Sequence, residues 1–234
     1  MIPLHDDNPT HITPFVTWTL IGACIAMFAW QQMVGPARGT EIIYALGAIP
    51  AVVFDTRELP AQLTWVPSWA TVLTSMFLHG GWMHLIGNMV YLWIFGNNVE
   101  DAMGHVRFAI FYVVCGVVAA LAHALPNADS IIPMVGASGA ISGVLGAYLL
   151  LYPRAKVLVL VPLGFVMTTI RLSSAWVLAF WFGLQVISAT FSNDEGGGVA
   201  WGAHIGGFVA GMVLIPFFKH RHVRLLAEPI PKSG

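Results

Sequence analysis

The chain has 234 residues, 57% hydrophobic and 9% charged, with a mean hydropathy of +0.77 and a net charge of −1. Soluble domains carry roughly 25% charged residues, so this composition excludes a chain that covers itself with a hydrated surface and makes lipid its main solvent. The near-neutral charge gives no reason to expect a nucleic-acid partner.

A membrane-spanning helix needs about 20 apolar residues. Six runs meet or approach that length: residues 12–34, 81–99, 106–125, 136–152, 174–192 and 198–218. The expected fold class is an all-α integral membrane protein with six transmembrane helices. It forms a single domain over residues 1–234, with its core at about 12–218 and a short basic, Pro-containing tail at 219–234. Residues 1–11 hold Asp6 and Asp7 and no Lys or Arg, a poor start for a signal peptide, so the first run is expected to be retained. Cys24 and Cys115 lie inside apolar runs and read as core residues, not as a disulfide or metal site.

Residues 35–80 interleave Tyr44, Phe54, Trp65 and Trp69 with Arg38, Asp55, Arg57 and Glu58. That mixture suits short helices lying on a membrane surface. Residues 156–172 are short for a span and hold Pro162, Gly164 and two threonines, and they read as an interfacial or re-entrant hairpin. The tail after Phe218 reads as a cytoplasmic anchor followed by disorder. With the N-terminus inside, Arg107, Arg154, Lys156, Arg171, Lys219, Arg221, Arg224 and Lys232 fall on the inner side and only Arg38 and Arg57 on the outer. Positive charge favours the inner side, so both termini are expected in the cytoplasm.

Polar side chains inside spans are costly and mark function by default. The second span opens with HGGWMHLIGN, carrying His79, His84 and Asn88; the fourth opens with GASGAISG, carrying Ser138 and Ser142; the sixth opens with WGAHIGG, carrying His204. These spans run in one direction, so the three clusters share a level near the outer face. The fourth span, Ser138 to Tyr152, is about 22 Å long at 1.5 Å per residue, short of a core about 30 Å thick. The span therefore starts below the outer surface, and residues 126–137 must dip in to reach it. Gly139 and Gly143, with Gly136 beside them, lie under Ser138; Gly207 and Gly211 lie under His204. Small residues at this spacing let helix backbones approach, which would bring the hydroxyl to the imidazole.

A serine hydroxyl needs a base to become a nucleophile, and His204 titrates in the right range. No Asp or Glu lies in the outer half of any span, so a dyad of Ser138 and His204 is expected, without a buried acid. His84 and Asn88, four apart on one helix face, and the Ser138 N–H at a helix start are candidate donors to an oxyanion. Plainer readings exist for each. Ser138 suits a helix N-cap, His204 a packing histidine, and His84 and Asn88 interhelical hydrogen bonding. His79 reads as structural, His123 as interfacial, and Trp176, Phe180, Trp181 and Phe182 as lipid-facing bulk.

HGGWMHLIGN, GASGAISG and AHIGGFVAG together resemble the three signature motifs of the rhomboid family of intramembrane serine proteases, in the right order from about Phe15 to Phe218. The resemblance implies Ser138 as nucleophile and His204 as base. It implies an oxyanion hole of His84, Asn88 and the Ser138 backbone. It also implies single-span transmembrane substrates cleaved near the outer face at small residues, with the fifth span and the loop holding Gly196, Gly197 and Gly198 as a lateral gate. No cofactor and no metal are implied. Two positions depart from the family pattern. Some members have a tyrosine where Ser142 stands, and the family's first loop often carries Trp-Arg where this chain has Trp69-Ala70.

Three other functions compete. A rhomboid-like protein that binds membrane clients without cleaving them usually lacks the serine or the histidine. A metal hydrolase using His79, His84 and His204 lacks the HExxH spacing. A small transporter needs midplane ion sites, and these spans are nearly free of charge. The expected location is a multi-pass position in a lipid bilayer, the bacterial inner membrane.

Overall fold

A computed structural model describes residues 2–164, 166–191 and 200–227. It is a predominantly helical bundle of a multi-pass membrane protein. In chain order it comprises β1 (Ile2–Asp6), α1 (Phe15–Met33), α2 (Pro36–Leu46), α3 (Pro50–Val53), α4 (Ser68–Thr74), α5 (Trp82–Met103), α6 (His105–Ala124), α7 (Ser138–Leu151), β2 (Lys156–Leu163), β3 (Val166–Ser173), α8 (Ser174–Phe191) and α9 (Trp201–Phe218). Four of these, α1, α6, α8 and α9, are long and apolar enough to cross a membrane. The other two long helices pack among them. α5 carries Glu100 and Asp101, and α7, of 14 residues, is buried along almost its whole length.

The buried acid of α5 has a structural reason. Glu100 is fully buried, and its carboxylate accepts the Val16 N–H at 2.9 Å, the Thr17 N–H at 2.8 Å and the Thr17 hydroxyl at 2.7 Å. The first N–H groups of a helix lack partners within it and favour negative charge, so one side chain of α5 starts α1. The other end of α1 is tied by Gln31, whose amide bonds the backbone of His79.

α7 is held at backbone contact with α9. A Cβ on Gly207 would overlap the Gly139 carbonyl, one on Gly211 the Gly143 carbonyl, and one on Gly146 the Phe208 carbonyl. The missing side chains of Gly139 and Gly143 face α6 instead, where Ala119 and Cys115 fill the space. α7 is thus clamped from two sides by backbone and small groups.

Residues 35–80 form short helices packed on the bundle, held by the hydroxyl of Thr74, which donates to the Leu46 carbonyl at 2.6 Å. The stretch before α7 is enclosed by protein. Met134 pairs with Ala48, the Gly136 N–H donates to Ser75 O at 2.9 Å, and Ala137 is fully buried. Cys24 and Cys115 are buried free thiols.

The all-α expectation is corrected. Residues 156–173 form an antiparallel β-hairpin turning at Gly164, and Ile2–Asp6 adds a third strand in the order β1-β2-β3. The alternation of buried Val157 and Val159 with more exposed neighbours is the strand period. Pro162 is tolerated in the middle strand because β1 pairs only as far as Leu160, leaving the edge of β2 open beyond it. The sheet covers the end of the bundle remote from Ser138. There the Tyr148 hydroxyl of α7 donates to Asp6 at 2.6 Å. The tail folds back to the same end, with His220 N–H bonded to Ala102 O and Leu226 N–H to Leu150 O; residues 228–234, where disorder was expected, lie outside the described residues.

Burial pushes the Asp6 carboxyl up to about 6, against the Tyr148 hydrogen bond, which lowers it. A raised carboxyl contributes stability that is fully present at low pH and lost as pH rises through about 6. Protection factors of the β1 amides are therefore expected to be larger at about pH 5 than at about pH 7.5, and Asp6→Asn should erase the difference. A parent chain with equal protection at both would contradict this. Gly211→Val should destabilise the purified protein by about 3 kcal/mol through overpacking, read as a fall in Tm. Gly22→Ala, where an added methyl meets open space, should be neutral or slightly stabilising.

Candidate active site

Ser138 is the first residue of α7, and His204 lies one turn into α9. The clamp between these helices brings the Ser138 hydroxyl to 2.8 Å from His204 Nε2. His204 is buried, while Ser138 is half-buried and faces a cavity of about 970 Å³. The cavity is lined by Trp82, His84, Gly87, Asn88 and Tyr91 of α5, by Trp181 and Gln185 of α8, and by Trp201 and His204 of α9. Where α5 faces α8, Tyr91 and Trp181 meet with ring centroids 6.2 Å apart.

His84 and Asn88 both line this cavity beside Ser138. His84 lies against Gly136, where a Cβ would come within 2.7 Å of its Nε2 and 3.6 Å of the Ser138 hydroxyl. The Gly80 N–H points at His84 Nδ1 across a long 3.5 Å. An N–H donated to Nδ1 leaves Nε2, the atom on the Ser138 side, as the ring's donor. Asn88 is buried, and its Nδ2 has no hydrogen-bond partner among the described residues. A buried donor without a partner costs about 1–3 kcal/mol, and this one belongs to a residue that lines the cavity. The first-turn N–H groups of α7, starting at Ser138, also lack helical acceptors by their position.

The Ser142 hydroxyl donates to the Ser138 carbonyl of its own helix at 2.6 Å. Three other groups surround the imidazole. Trp181 and Trp201 each place a ring centroid 5.9 Å from it, at 35° and 89°. Its Nδ1 lies 2.6 Å from Gln185 Oε1. Gln185 and Trp201 are not among the site residues expected from the sequence. Trp181 and Phe182, expected as lipid-facing bulk, face protein instead. Trp181 packs on His204 and Phe182 stacks on Phe208 at 4.5 Å, while Trp176 and Phe180 are exposed. The helical period puts 177, 178, 181 and 185 on one face, and that face meets α9.

His79 is buried, joined through its backbone to Gln31, with its ring edge-on to His84 at 5.2 Å. His123 borders the cavity against Gly202. The loop glycines Gly196, Gly197 and Gly198 and the acids Asp194 and Glu195 lie outside the described residues. Among the described residues no three His, Cys, Asp or Glu side chains converge to hold a metal ion.

A Rhomboid domain family model matches residues 66–221. The Rhomboid protease GluP of Bacillus subtilis is 32% identical over 221 residues, 94% of this chain and 36% of the relative. Rhomboid protein 1, mitochondrial, of Saccharomyces cerevisiae is 30% identical over 194 residues, 74% of this chain and 52% of the relative. Rhomboid-like protease 5 of Toxoplasma gondii is 37% identical over 147 residues, 61% of this chain and 15% of the relative. The chain thus spans about half, or less, of the length of these relatives.

Gly136 has φ +124, a left-handed conformation that side chains rarely adopt, and His84 fills the space beside it. Gly136→Ala is expected to destabilise by about 1–3 kcal/mol from backbone strain and to displace His84. A Tm equal to that of the parent would contradict this.

Proposed function

We propose that this chain, which belongs to the rhomboid family, is an intramembrane serine endopeptidase working by a Ser138–His204 dyad. The observation that carries the reading is the 2.8 Å contact between the Ser138 hydroxyl and His204 Nε2 beside a cavity within an apolar bundle. An unactivated serine is a weak nucleophile, and a hydrogen-bonded imidazole is the group that activates it.

In this reading the Ser138 oxygen attacks the carbonyl carbon of a peptide bond as its proton passes to His204 Nε2. The carbonyl oxygen becomes an oxyanion. Asn88 Nδ2, His84 Nε2–H and the Ser138 N–H donate to it. The partnerless amide of Asn88 supports that role, because a preorganised donor needs no rearrangement when charge develops. Collapse breaks the C–N bond, the imidazolium returns its proton to the leaving amine, and the acyl group stays on Ser138. Water then attacks the acyl carbon as His204 Nε2 takes its proton, and the imidazolium gives that proton to the Ser138 oxygen as the C–O bond breaks and the acid leaves. The close packing at Gly136, Gly139, Gly143, Gly207 and Gly211 supports the alignment of these groups.

The substrates proposed are single-span transmembrane proteins cleaved near the outer membrane face, reaching the cavity from the bilayer. The tyrosine–tryptophan contact between α5 and α8 is the seam by which they would enter. The chain acts as one membrane domain with six spans and both termini in the cytoplasm, in a bacterial inner membrane. α5 and α7 count as spans here because each packs among the four long apolar helices.

The test is labelling of the purified chain with a fluorophosphonate, a serine-directed reagent. Ser138→Ala and His204→Ala are expected to abolish labelling, and Asn88→Ala to slow it about 10²–10³-fold, the effect of losing one oxyanion donor. Labelling that persists in Ser138→Ala would overturn the reading. A chain that is never labelled would point to a rhomboid-like protein that only binds its clients.

A further inference from the structure

Past its first residue, α8 has a single buried polar side chain, Gln185. It stands in an otherwise apolar stretch of helix, and both ends of its amide are engaged. Nε2 donates to the Trp181 carbonyl one turn earlier, at 3.3 Å. That contact fixes which way the amide faces, because a carbonyl accepts and cannot donate. Oε1 is therefore the atom turned toward His204, and it meets Nδ1 at 2.6 Å.

An amide oxygen only accepts, so Nδ1 must carry the ring proton; a bare Nδ1 would set two lone pairs against each other. A neutral imidazole has one N–H. With that proton on Nδ1, Nε2 presents a lone pair to the Ser138 hydroxyl 2.8 Å away. In the other tautomer Nε2 would be a donor and could not take the serine proton. Catalytic triads assign this selection to a carboxylate. No Asp or Glu among the described residues reaches His204 Nδ1.

We propose that Gln185 is a positioning residue that holds His204 in the tautomer able to accept the Ser138 proton. Because Gln185 belongs to α8, the competent imidazole exists only while α8 lies against α9. The dyad is therefore completed by a third helix whose outward face, at Trp176, Phe180, Ile187 and Phe191, is exposed. The proposal rests on the reading of Ser138 as nucleophile and His204 as base.

The test uses the purified full chain and a fluorophosphonate probe, separating the rate of bond formation, kinact, from the probe's recognition constant, KI. Gln185→Leu fills the space without an acceptor and is expected to lower kinact about tenfold or more, with KI within about twofold. Gln185→Glu restores an acceptor at the same reach and should keep kinact within about threefold of the parent. Should Gln185→Leu fail to fold, Gln185→Met is read in its place. An unchanged kinact in the acceptor-free variant would overturn the proposal. So would a loss confined to KI, or a Gln185→Glu variant as slow as Gln185→Leu. A parent chain that does not react, or a Ser138→Ala chain that does, defeats the underlying reading instead, and is recognised without any variant at Gln185.

Discussion

The backbone-to-backbone contact of α7 and α9 is the constraint from which the rest of the site follows. At Gly207 and Gly211 there is no room even for a methyl group, because the carbonyls of Gly139 and Gly143 occupy that space. In a membrane, apolar surface gains little by leaving lipid, so helices associate through close packing and polar contacts. Glycine supplies the closeness. A serine at the start of one helix and a histidine one turn into the other then lie within hydrogen-bond distance without a long side chain to bridge them.

That contact would be of little use if water were excluded. α7 has 14 residues, about 21 Å at 1.5 Å per residue, shorter than the helices around it, and Ser138 at its start borders open space. That space is the cavity that Ser138, His84, Asn88 and His204 share. Irregular backbone within a membrane is tolerated only where protein or water satisfies it. Here Ser75 and Ala48 bind the stretch leading into α7, and those residues come from the segment between α1 and α5. The surface segment is thus a structural floor for the site as well as a cover.

What the sequence made legible follows the same physics. Polar side chains in apolar runs are expensive, so Ser138, His204, His84 and Asn88 stood out, and the glycine spacing suggested how two of them meet. The six long helices fall within a few residues of the apolar runs. The three-stranded sheet was not legible, because β1 is five residues of ordinary composition whose partner lies more than 140 residues away. Gln185 obeys the rule that found the others, being a polar group in an apolar run, yet no motif surrounds it in its helix. Only the rotation and height of α8 against α9 reveal that it meets His204. The inward turn of Trp181 was hidden for the same reason: composition shows that a helix is apolar all round, not which face meets protein.

The most direct measurement is a structure of the chain after reaction with a fluorophosphonate. The account predicts phosphorus bonded to the Ser138 oxygen and a phosphoryl oxygen within hydrogen-bond distance of Asn88 Nδ2 and the Ser138 N–H, with α7 and α9 unmoved. Phosphorus on another side chain, or a phosphoryl oxygen turned away from Asn88 and the start of α7, would contradict it.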